Sequence, residues 1–267
     1  MQEIPHTYWE RIVFLLQNYW PSFLGGAGNT LLIAVIATAA GVLIGLLVGV
    51  IMTVPEGRNK VGNFFIWLVK KVLFIYIEIF RGTPMMVQAM FMYFGAVMYL
   101  GYNPNRIIAG IVIVSINTGA YMAETVRGGI ISINDGQTEG AKAIGMTHTQ
   151  TMLNVIMPQA MRNIMPQIGN NLIINIKDTS VLNVISVTEL YFAGKSVAGM
   201  YLFTFETFTI VSVMYLIMTV TCARLLRFME NKMAGSDSYD LATQDTLAYT
   251  SGMTNFPNKK KDKRGEK

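Results

Sequence analysis

Apolar residues recur along this chain in blocks of about twenty, the length an α-helix needs to cross the hydrocarbon core of a bilayer. Five blocks reach that length: residues 29–54, 72–100, 106–126, 164–190 and 203–229. The second is interrupted by Arg81, Gly82, Thr83 and Pro84, and the fourth is unusually polar, carrying Asn170, Asn171, Asn175, Lys177 and Asp178. No block alternates with period two, so the pattern predicts an all-α integral membrane protein of about five spans. Residues 1–28 then form a segment outside the membrane domain of residues 29–230. Residues 231–267 are polar, end in KKKDKRGEK, and read as a disordered basic tail.

Composition agrees. Of 267 residues, 52% are hydrophobic and 14% charged, against about 25% charged in soluble domains. A single cysteine, Cys222, leaves no disulfide framework and no cysteine zinc cluster. His6 and His148 stand far apart, and neither lies in an HExxH pattern. The opening MQEIPHTYWE has no basic region followed by a short apolar core, so no cleavable signal peptide is expected.

Charge fixes the expected orientation. Arg58, Lys60, Lys70 and Lys71 lie between the first two spans, Arg127, Lys142 and Arg162 between the third and fourth, and Arg227, Lys232 and the basic tail after the fifth. The other side holds Arg11, Arg106 and Lys195. The positive-inside rule places the N-terminus outside and the C-terminus in the cytoplasm, together with the loop of residues 135–160. In the first span, Gly41, Gly45 and Gly49 repeat at the small-xxx-small spacing that lets a second helix approach closely. Helix packing accounts for them without a ligand.

The cytoplasmic loop contains GAKAIGMT, two glycines separated by four residues and followed by Met146 and Thr147. A nucleotide-binding P-loop needs lysine where Met146 stands, a buried strand before it and a helix after it. The preceding SINDGQTEGAK favours helix instead. Read helically, Asp135 or Thr138 caps one short helix over residues 137–143, Gly145 closes it in a left-handed conformation, and a second helix over residues 147–156 stops before Met157 and Pro158. The expected object is a pair of short helices around a glycine elbow, a shape a cytoplasmic partner can grip.

This stretch resembles the EAA loop of ABC-transporter permeases: Glu-Ala-Ala, three residues, Gly, nine residues, then Ile-x-Leu-Pro. The matching positions are Glu139, Gly140, Ala141, then Gly145, then Val155, Ile156, Met157 and Pro158, with Gly140, Val155 and Met157 as departures. FRGTPMMVQ, AYMAETVRGGI, MPQAMRNIMPQIGN and IKDTSVL extend the resemblance to the polar amino acid branch of that family over residues 75–192. The resemblance implies a type I, MetI-like importer subunit in the bacterial inner membrane. It implies a second permease chain, identical or paralogous, a cytoplasmic ABC ATPase dimer that holds ATP and magnesium, and an extracytoplasmic substrate-binding protein. It implies no cofactor in this chain and no nucleic-acid partner. It assigns Glu139, Gly140, Ala141, Ala143, Gly145, Met146 and Pro158 to coupling with the ATPase.

Ionisable groups inside a span are costly and face a cavity or a partner. Lys177 and Asp178, followed by Thr179 and Ser180, are expected near the middle of the fourth span. Successive helix residues point about 100° apart, so the two charges either line a polar path suited to a zwitterion or make structural pairs with other helices. Pro84 is expected to start a new helix after the break, with free amides that attract a carboxylate and with Arg81 and Thr83 as further donors. Glu78 lies three residues before Arg81, so the alternative there is a simple ion pair. Glu124 and Arg127 share that spacing near the cytoplasmic end of the third span and point to gating or packing. An ion-gradient-driven transporter also explains a polar fourth span, but leaves the docking loop unexplained. An enzyme lacks convergent catalytic groups, and a channel would require no ATPase.

Overall fold

The computed structural model describes residues 6–55, 57 and 59–234, and these are helical with short connections. The disordered tail expected over residues 231–267 falls, from residue 235 on, outside them. In chain order the helices are α1 (Tyr8–Thr53), α2 (Lys60–Gly82), α3 (Met85–Leu100), α4 (Arg106–Ile131), α5 (Asp135–Ala143), α6 (His148–Thr151), α7 (Met157–Asp178), α8 (Leu190–Tyr201) and α9 (Thr204–Ala234). A π turn, Met152–Ile156, joins α6 to α7, and a 3-10 helix, Thr179–Ile185, follows α7. By length and composition, α1, α4 and the α9 stretch Thr204–Met229 can each cross a membrane; α3 is apolar but shorter.

The first helix begins at Tyr8, well before the expected residue 29. A capping box starts it: the Thr7 hydroxyl accepts from the Glu10 amide while the Glu10 carboxylate accepts from the Thr7 amide. Gln17, Asn18 and Pro21 lower the local hydropathy and hid the helix from a hydrophobic reading. Tertiary packing supports it instead. Leu15 and Phe23 are buried with Leu190, Val197, Ile210 and Val211, and Arg11 pairs with Glu206 at 2.8 Å. At 46 residues the helix is about 69 Å long, more than twice the thickness of a bilayer's hydrocarbon core.

Further along, α1 lies against α4 through its small residues. A Cβ placed on Gly41 would stand 2.6 Å from the Thr118 Cβ, one on Gly49 2.7 Å from the Val126 Cβ, and one on Gly45 would overlap Met122. Thr118, Met122 and Val126 repeat every four residues, so two rows with one spacing interlock. The seam also holds a buried polar triad. The Asn175 amide of α7 donates to the Thr38 hydroxyl of α1 at 2.8 Å and to the Thr118 hydroxyl of α4 at 3.0 Å.

The expected fourth span, residues 164–190, is not one helix. Its ladder gives way after Asp178 because side chains compete for the carbonyls: the Thr179 hydroxyl donates to the Ile176 carbonyl and the Asn183 amide to the Ser180 carbonyl. Ser186, at φ 59°, ends the 3-10 helix. Lys177 and Asp178 therefore close α7 rather than sit at mid-span. The next helix, α8, carries no Ser, Thr, Asp or Asn cap and was not expected. Glu189 caps it, its carboxylate accepting from the amides of Tyr191 and Phe192 and from the Tyr215 hydroxyl.

Candidate functional site

The elbow is built almost wholly from backbone geometry. Asn134, rather than Asp135 or Thr138, caps α5, its side-chain oxygen accepting from the Gly136 amide at 2.8 Å. The helix closes in a Schellman turn: the Met146 amide donates to the Ala141 carbonyl at 3.1 Å and the Gly145 amide to the Lys142 carbonyl at 3.0 Å. Gly145 stands at φ +84°, which a residue with a Cβ adopts only with strain. Thr147 and Gln150 then form a reciprocal capping box that opens α6.

Beyond α6 the helix does not stop at Met157 and Pro158. It widens into the π turn, where the Met157 amide bonds the Met152 carbonyl, and continues as α7 to Asp178. Proline lacks an N–H and its ring presses on the carbonyl four residues earlier. The extra residue of a π turn relieves that conflict without ending the helix. Met152 and Ile156 face inward and pack with Val126, Ile130, Ala160 and Ile164.

Exposure divides the residues assigned to coupling. Glu139, Gly140, Ala143, Gly145 and Pro158 are exposed, Met146 is half-buried, and Ala141 is buried against the body. Ala141 thus holds α5 in place from behind. Two large apolar residues lie outward at the elbow, Ile144 at 79% and Leu153 at 61% exposure. Neither was singled out from the sequence, where each reads as an ordinary core residue. A Cβ on Gly140 would meet nothing within 4 Å, so no close contact within this chain requires glycine there.

The break between α2 and α3 is closed from inside. The buried Gln88 side chain donates to the carbonyls of Phe80 and Thr83 and to the Thr83 hydroxyl at 2.8–2.9 Å. Asn117 of α4 donates to the Phe80 carbonyl and to the Gln88 side-chain oxygen. Glutamine and asparagine, not arginine, satisfy the interrupted backbone. Pro84 stands just before the new helix as its cap position rather than as its first residue, and no side chain caps α3.

Arg81 does not pair with Glu78. It reaches across to Glu124 of α4 at 3.4 Å and lies over the Tyr121 ring at 5.7 Å, while Arg127 approaches the same carboxylate at 3.4 Å. One carboxylate thus joins the two positions that the sequence treated separately, taking one arginine from its own helix and one from α2. Glu78 is left exposed. Lys177 and Asp178 are exposed and form no ion pair among the described residues, whereas Thr179 is fully buried and Ser180 half-buried. No group of histidine, cysteine and carboxylate side chains able to hold a metal occurs among the described residues.

Comparison with known proteins follows this geometry. Residues 41–235 match the family described as the binding-protein-dependent transport system inner membrane component. The glutamine transport system permease protein GlnP of Escherichia coli (strain K12) is 39% identical over 220 residues, covering 80% of this chain and 95% of that protein. The arginine transport system permease protein ArtQ of Bacillus subtilis (strain 168) is 36% identical over 146 residues, covering 54% of this chain and 61% of that protein. Among solved structures, an amino acid ABC transporter crystallised with histidines matches with a TM-score of 0.72 and 32% identity, covering 86% of this chain and all of that one. The inward-facing methionine transporter MetNI matches in fold, with a TM-score of 0.61 at 19% identity, covering 77% of this chain and 94% of that one. A MetI-like helical fold with a solvent-facing EAA elbow, and a family match running from Gly41 to the end of the described chain, lead to one assignment: the chain belongs to the permease family of ABC importers, the inner membrane components of binding-protein-dependent transport systems.

Proposed function

We propose that this chain carries a polar amino acid across the membrane as one of two permease subunits of an ATP-driven importer. The observation that carries the coupling half of this reading is the elbow. Its two helices are fixed by caps and by Ala141 from behind, yet it presents Ile144, Leu153 and Gly145 outward. An ATPase dimer that holds ATP and magnesium docks there, and its closure is passed to the spans. Names of relatives support an amino acid as cargo, since permeases for glutamine and for arginine align with this chain.

The second permease chain, a copy or a paralogue, is supported by the exposed charges. Glu78, Lys177 and Asp178 lie on the surface of the single chain, and charge facing lipid at membrane depth costs several kcal/mol. Covering these charges with a second chain, and wetting the space between, removes that cost and offers both charge signs to a zwitterion. Arg81, Thr83, Thr179 and Ser180 border the same helix ends. Five membrane-crossing segments, an external N-terminus and an external binding protein complete the arrangement, with the elbow on the positively charged cytoplasmic side.

The deciding experiment reconstitutes the permease with its ATPase and binding protein in vesicles. Hydrolysis stimulated by a polar amino acid, with uptake of that amino acid, is expected. Uptake that persists without ATP and follows an ion gradient would refute the reading.

A further inference from the structure

The geometry points to Gln159 as the residue through which the elbow is tied to α7, an inference that rests on the importer reading above. The π turn sets up this role. Pro158 supplies no N–H, so the carbonyl four residues before it loses its helical donor, and the turn opens the helix at this point. The next residue, Gln159, reaches from this turn to α5. Its side-chain amide donates to the Val155 carbonyl inside the turn at 2.8 Å and to the Gln137 side-chain oxygen of α5 at 3.3 Å.

One amide group therefore bonds the helix that docks and the helix that leads inward. One turn further, the Asn163 amide donates to the Ser132 hydroxyl, just before α5, at 3.3 Å. Gln159 and Asn163 stand four apart on one face of α7, so α5 and the segment preceding it are laced to that face at two levels. From there α7 continues, through Pro166 where one backbone donor is missing, to Asn175, which locks it to α1 and α4, and ends at Lys177 and Asp178. A displacement of α5 pulls on Gln159 and reaches the polar path along a single helix. Gln159 is thus a positioning residue for transport; it touches neither substrate nor nucleotide.

The test uses the complete transporter in vesicles and reads amino acid taken up per ATP hydrolysed. Gln159→Leu is expected to lower that ratio about fivefold, the lower end of typical coupling between sites, with complex recovered at wild-type yield. Gln137→Leu is expected to do the same, and the double variant to be no worse than either single one, because both remove one link. Shape and donor capacity are separated by two further variants. Gln159→Met keeps the length but neither donates nor accepts, and should behave as Gln159→Leu; Gln159→Lys keeps a donor of similar reach and should restore at least half of the wild-type ratio. A ratio unchanged in Gln159→Leu, or a Met variant equal to wild type, overturns the inference.

Hydrogen exchange on the full-length permease alone separates this from failure of the importer reading. Gln159→Leu should speed exchange of the α5 amides about fivefold, the worth of one net hydrogen bond, with α4 unaffected. Unchanged α5 exchange overturns the tie whether or not the reconstituted complex transports anything.

Discussion

The elbow and the polar interior solve opposite problems with opposite means. In the elbow, every defining bond closes within a few residues of chain: Asn134 on Gly136, Thr147 on Gln150, Met146 on Ala141. In the interior, the amides that join helices find partners far along the sequence, as Asn175 finds Thr38 and Asn117 finds Phe80. An exposed object can rely on local backbone geometry, because water satisfies whatever is left over. A polar group inside a membrane has no such reserve and must be met by protein. Local construction gives a rigid shape that a partner can grip; distributed construction gives a joint among several helices that holds only when all are in place.

This contrast can be broken by substitution. The largest effect is expected from Gly145→Trp: φ +84° strains any residue with a Cβ, the indole stands out from the elbow, and binding-protein-stimulated uptake falls to background while the chain still inserts and its spans still pack. Normal transport by this variant would remove the elbow from the mechanism. Next is Asn175→Leu, which leaves the Thr38 and Thr118 hydroxyls without their amide partner at the seam. A loss of about 1–3 kcal/mol is expected, read as a lower unfolding midpoint in detergent, with the elbow's amide protection retained.

Gln88→Leu should cost a similar or smaller amount, about 1–2 kcal/mol, by freeing the carbonyls of the α2–α3 break. Asn117→Leu on top of it should cost less than it does alone, because the two amides form one network; full additivity would show that the break is not closed jointly. The smallest effect has the opposite sign. Gly140→Ala meets open space and should stabilise α5 by about 0.5–1 kcal/mol, seen as slower exchange of its amides. If it lowers ATPase affinity instead, the absent methyl serves the docking surface.

The same contrast explains which parts of the molecule could be read from its sequence. Gly145 was legible because a left-handed turn needs a glycine and the flanking helical signals sit beside it. The glycine row at Gly41, Gly45 and Gly49 was legible as a seam, but not its partner row at Thr118, Met122 and Val126. The Thr83–Pro84 break could be read from proline chemistry, yet its filling by Gln88 and Asn117 could not, since an amide's partner depends on which helix folds beside it. Arg81 was misjudged because the i, i+3 rule considers one helix and the structure supplied another. The N-terminal half of α1 and the whole of α8 escaped a hydrophobic reading because capping boxes, a glutamate cap and distant packing support them, rather than a run of apolar residues.

The length of α1 also bears on how the protein is made. Its partners leave the ribosome much later than it does. Thr38 waits for Asn175, 137 residues on, Thr30 for the amide of Leu190, 160 residues on, and Arg11 for Glu206, 195 residues on. The glycine seam can close once α4 has been synthesised, but Leu15 and Phe23 of the first half of α1 reach their buried places only when α8 and α9 arrive. Assembly is thus ordered in time from the glycine seam toward Tyr8, and a chain cut short before α9 would leave the membrane insertion machinery holding a helix that is only half enclosed.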